Sequence, residues 1–119
     1  MTDRSSAIDR LKTELRVQAW LRRCAVQGFM AAVVRKGDPE AGALFIKVNR
    51  FAAGCEGFSG VTAPDGLPAW LRASGPNPVP ESDADAYLGR QFKYDSDIWV
   101  LEIEDPKSIF SLDAPILDL

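Results

Sequence analysis

The segment DIWVLEIE, residues 97–104, constrains the fold more than any other stretch of the chain. Trp99, Leu101 and Ile103 alternate with Val100, Glu102 and Glu104, the period-two pattern of a strand with one apolar face. A strand leaves its own backbone groups unpaired, so this one requires partner strands elsewhere in the chain. The chain offers four further β-rich runs: Phe29–Arg35, Ala43–Asn49, Phe58–Thr62 and Ala69–Ala73. In the second of these, Leu44, Ile46 and Val48 share one face, opposite Phe45, Lys47 and Asn49.

The N-terminal third poses a conflict of periods. On a helical wheel Ile8, Leu11 and Leu15 lie on one side, and Val17, Trp20, Leu21 and Cys24 on another. One straight helix cannot bury both. Leu11, Thr13, Leu15 and Val17 alternate with charged and polar residues, which predicts a strand over Lys12–Val17. A helix then runs over Gln18–Gln27 and stops at Gly28. Further on, Pro76, Pro78 and Pro80 mark an extended connector. Ser82 reads as an N-cap, with Asp85 completing a variant of the capping box. The helix it starts reaches Phe92 and buries Ala84, Leu88, Phe92 and Tyr87.

The expected order is β-α-β-β-β-β-α-β. Short connections between successive strands favour antiparallel pairing. The result is a single α+β domain over residues 1–119, with a mainly antiparallel sheet of five to six strands and two helices covering one face. At 119 residues and 46% hydrophobic content, the chain can build a core without a metal or disulfide. Residues 1–10 read as a loose N-terminus. The tail, residues 106–119, carries Ile109, Phe110, Leu112, Ile116, Leu117 and Leu119, too much apolar surface for a free end. It is expected to dock on its own sheet or on a second copy.

Histidine is absent, which removes Ser-His and Cys-His nucleophile pairs and the commonest metal ligand. With only Cys24 and Cys55 there is no cysteine-based zinc site. Cys24 reads as a small buried hydrophobe, and Cys55, in the turn AAGCEG, as more exposed. The opening stretch MTDRSSAIDR has no apolar core and does not read as a secretory leader, and the longest apolar run, Phe29–Val34, is too short to span a bilayer. These features point to the cytoplasm.

The loop Gly37–Gly42, GDPEAG, resembles a phosphate loop only superficially. It lacks the Gly-Lys-Ser/Thr ending, and Asp38 and Glu40 would repel phosphate. Asp38 as cap, Pro39 at the first helical position and a flexible Gly42 are the chemistry of a compact hairpin connection. The acidic pairs Asp83/Asp85, Asp95/Asp97 and Glu102/Glu104 lack the spacing of a calcium loop. Charge is nonetheless uneven: residues 10–50 are basic, whereas residues 51–119 are acidic. Arg22, Arg23, Arg35 and Arg72 are the candidate anion contacts, since guanidinium pairs clamp phosphate or carboxylate bidentately. Trp70 and Arg72 share a strand face and could hold a planar ligand, but the acidic balance disfavours nucleic acid.

The blocks ELRVQAWLRRC, VVRKGDPEAGALFIKVNR, WLRASG and PVPESDADAYLGRQFKYDSDIWVLEIED resemble a family of small alphaproteobacterial proteins, domain of unknown function 1491. The resemblance runs from Leu11 to Asp105 and implies a bacterial intracellular protein of this size. It carries over no activity, ligand or catalytic residue. The expected role is a small non-catalytic cytosolic binding or adaptor protein, with another protein as partner and no cofactor, metal or membrane. A homodimer through the C-terminal tail is a further expectation. The alternative is a binder or enzyme for a small phosphate or carboxylate ligand, using the four arginines.

Overall fold

The computed structural model describes residues 12–117. Helix α1 (Thr13–Gln27) leads into β1 (Met30–Arg35) and β2 (Leu44–Asn49). A single 3-10 turn at Phe51–Ala53 precedes β3 (Cys55–Thr62) and β4 (Pro68–Arg72). Helix α2 (Glu81–Tyr94), β5 (Trp99–Glu104) and a short β6 (Ile116–Leu117) complete the chain. The class is α+β in one domain, with a six-stranded sheet ordered β1-β5-β2-β3-β4-β6.

The segment expected as a strand, Lys12–Val17, is instead the start of α1. Thr13, Val17, Trp20 and Cys24 recur at helical spacing and are all buried. Leu15 is the cost of that choice and stays 49% exposed. The alternation that suggested a strand is what a helix shows when one of its apolar residues faces water.

Pairing also departs from the antiparallel expectation. β1 and β2 are not a hairpin. β5 inserts between them, antiparallel to β1 and parallel to β2, with Leu44 opposite Trp99 and Val48 opposite Ile103. The sheet is therefore mixed. Nor do the helices share a face. On one side α1 sets Val17, Trp20 and Cys24 against Ile46, Val48, Trp70, Leu101 and Ile103. On the other, Leu88 of α2 meets Phe45 and Val100, flanked by Tyr87 and Phe92. Cover on both faces explains why every residue of β2 is buried, the polar Lys47 and Asn49 included.

Two local expectations need revision. Pro80, not Ser82, occupies the N-cap of α2, without a side-chain cap, while Glu81 and Asp83 sit in the first turn where the helix dipole favours acids. Cys55 is buried, because the turn before it closes at Gly54 and the thiol already belongs to β3. Beyond β5 the chain folds back over the α1 face. Phe110 packs against Trp20 and Phe29, with ring centroids 6.0 and 5.3 Å away. β6 then pairs in parallel with Trp70 and Leu71 of β4.

Candidate functional site

The loop between β1 and β2 crosses the end of β5. Cβ atoms added at Gly37 or Gly42 would run into the Asp97 carbonyl, so both glycines serve close backbone approach. The Asp38 carboxylate accepts the Glu40 and Ala41 N–H groups at 2.8 and 3.3 Å. Its carbonyl accepts the Trp99 indole N–H at 2.7 Å. Thr13 and Glu14, at the start of α1, donate to the Gly42 and Pro39 carbonyls. The loop joins α1 to β5, and its Asp38, Glu40, Ala41 and Gly42 N–H groups are spent on acceptors within the chain.

Two ion networks flank the sheet, one on each face. On the α2 face Lys47 donates to Asp85, Glu81 and Glu102 at 2.7, 2.8 and 2.9 Å. Burial works to lower its pKa, but the three carboxylates outweigh it and hold the ammonium above the ordinary lysine range. All three of its donors are used. On the α1 face Arg50 bridges Glu56 and Asp105, and Arg72 donates to Glu56 at 2.6 Å. Asp105 also accepts the Ile109 and Phe110 N–H groups, each at 3.0 Å. Burial alone would raise the Asp105 pKa; those N–H groups and Arg50 bring it below the ordinary carboxylate value. Burial raises both thiols, Cys24 and Cys55, above their usual range, which keeps them protonated and poor nucleophiles.

Three of the four arginines singled out from sequence, Arg23, Arg35 and Arg72, are held by different partners. Arg22 is exposed on α1. Arg23 lies over the Trp20 ring at 4.8 Å and reaches the Ser111 carbonyl at 3.4 Å. Arg35 stacks on Phe92 of α2 at 4.1 Å and donates to the Ser96 carbonyl, while its buried Nε has no hydrogen-bond partner among the described residues. Arg72 is held by Glu56 beside Phe58. Arg23 and Arg35 thus attach to helices on opposite faces of the sheet.

Among the described residues both edges of the sheet are open. At one edge stands β6, two residues long, a length that offers little to pair with. At the other is β1, six residues long, with Met30 71% and Val34 55% exposed. Val26 at the end of α1 and Ile109 after β5 are exposed as well. A shallow apolar depression of about 290 Å³ runs between Phe29, Met30 and Ile109.

A model of a protein family of unknown function, DUF1491, matches residues 11–112. The chain belongs to the DUF1491 family. A crystal structure of a DUF1491 protein from Caulobacter crescentus is similar at 39% identity and TM-score 0.79, over 90% of this chain and 99% of that one. An NMR structure of a DUF1491 protein from the same organism gives 38% and 0.75, over 91% and 97%. A solution structure from A. tumefaciens gives 30% and 0.67, over 81% and 86%. No curated protein matches the chain.

Sequence reasoning missed Arg16 and Asp113. Both line a cleft between α1 and β4, together with Trp20, Arg23 and Trp70. Arg16 stands four residues before Trp20 and seven before Arg23, a spacing visible only once the helix is extended back to Thr13. No helix among the described residues of this DUF1491 chain is long and apolar enough to cross a membrane, and none of them forms a cluster able to hold a metal ion.

Proposed function

We propose that this DUF1491 protein is a non-catalytic cytoplasmic binding protein that works through protein–protein contact, with the outer edge of β1 as its contact surface and a second copy as the occupant. The observation that carries the reading is the exposure of Met30 and Val34 on a six-residue strand with nothing paired to its outer side among the described residues. Such an edge is a template for another strand. Charge favours a copy of itself. The far end of β1 carries Arg35 and Lys36, and the near end lies beside Glu104, which is opposite Met30. An antiparallel β1–β1 pair about a two-fold axis sets each basic end toward the other copy's acidic end, with apolar residues between. The non-catalytic part rests on the ion networks, whose buried members Lys47, Glu56 and Asp105 are occupied by partners within the chain.

Sedimentation equilibrium tests this. The full-length protein is expected to be a dimer, and Met30→Lys and Val34→Lys, both at exposed positions, to leave a folded monomer. A native chain that stays monomeric, or a dimer that survives both substitutions, overturns the reading.

A further inference from the structure

The cleft between α1 and β4 is independent of the β1 edge. It holds about 240 Å³ and is lined mainly by apolar groups, among them Ala19, Trp20 and Trp70. Arg16 and Arg23 lie at its two ends, ~10 Å apart along the helix axis. The Arg16 guanidinium reaches over Gly60, where a missing side chain makes room for it beside the Trp70 ring. It makes no hydrogen bond or ion pair with any described residue. Arg23, over Trp20, spends only one long bond on the Ser111 carbonyl. Asp113 accepts the Trp70 indole N–H at 2.9 Å and so fixes that ring.

We propose that this cleft binds a small monocarboxylate with an apolar body, its carboxylate on Arg16 and its body against Trp20 and Trp70. Size and charge select the class. The volume falls below the ~300–1,000 Å³ of pockets for drug-sized ligands, which excludes a nucleotide. Two guanidinium groups and one carboxylate leave a single positive charge, matching a monoanion, whereas a dianionic phosphate would face Asp113. A guanidinium that no described residue pairs, beside an apolar wall, gives a carboxylate a bidentate partner where water competes weakly.

Phenylacetate is a suitable probe, followed through the indole N–H resonances of the native protein. Trp99 is an internal reference, because its indole is bonded to the Asp38 carbonyl outside the cleft. Phenylacetate is expected to shift Trp20 and Trp70 saturably and to leave Trp99 in place. Phenylacetamide, the neutral isostere, is expected to bind at least tenfold more weakly, and Arg16→Gln to weaken phenylacetate by a similar factor. No saturable shift, equal binding of acid and amide, or a folded Arg16→Gln variant that binds as the native chain does would each overturn the proposal. Should that variant not fold, the acid–amide comparison decides alone.

Discussion

Asp105→Asn tests how the last third of the chain is held. The Asp105 carboxylate is fully buried and receives three hydrogen bonds, from the Ile109 and Phe110 N–H groups and from Arg50. Asparagine offers one oxygen in place of two. If that oxygen keeps the Phe110 and Arg50 bonds, the new amide points its own donors at the Ile109 N–H. One charge-assisted bond is lost, at about 1.5–3 kcal/mol, and Arg50 loses part of its counter-charge in a largely buried place. The total is about 3 kcal/mol, a large share of the ~5–15 kcal/mol that holds a domain of this kind. Urea denaturation is expected to show that loss. Amide exchange at Phe110 should quicken, since Asp105 anchors the turn that brings Phe110 onto Trp20. A loss under ~1 kcal/mol with protection at Phe110 unchanged would refute the argument. Sign follows from the lowered pKa. The contribution is complete above the unfolded carboxylate range and fades as pH falls below ~4, so the native chain and the variant should converge in stability in acid.

Lys47→Met leaves Glu81, Asp85 and Glu102 facing one another without their cation, so the variant should be destabilised at pH 7 and gain stability as pH falls toward ~5. The native chain should do the reverse at the other extreme: the raised Lys47 pKa makes its contribution complete below the unfolded lysine value and lost only in strong alkali. Thermal unfolding across pH measures both trends. Gly42→Ala drives a methyl group into the Asp97 carbonyl and should cost about 1–3 kcal/mol in chemical denaturation, although Gly42 has an ordinary backbone conformation.

Local patterns were legible in the sequence wherever one period dominated. Trp99, Leu101 and Ile103 are buried as their alternation requires, and Asp38 caps its turn. Ala84 and Leu88 face the core from the helix expected over Ser82–Phe92. Legibility failed where a long-range contact made the choice. The helical wheel already groups Val17 with Trp20 and Cys24, but nothing local tells that this stripe, joined by Thr13, meets the sheet while Leu15 faces water. The insertion of β5 between β1 and β2 depends on residues 55 or more positions apart, as in Leu44 opposite Trp99, and so does its parallel register with β2. Gly37 and Gly42 read as turn residues because the Asp97 carbonyl they must clear is invisible in the sequence. Arg22-Arg23 and Arg35-Lys36 stand out in the sequence as neighbouring charges and Arg72 by sharing a strand face with Trp70, whereas Arg16 and Arg23 acquire their meaning together from helical spacing and from Trp70 on the facing strand.

The β1 contact is tested most directly by isotope-filtered NMR on a mixture of labelled and unlabelled full-length chains. Antiparallel pairing of β1 with its own copy predicts intermolecular contacts linking the Met30 methyl group of one chain to the Val34 and Arg35 side chains of the other. Intermolecular contacts confined to other surfaces, or none at concentrations where the protein sediments as a dimer, would contradict it.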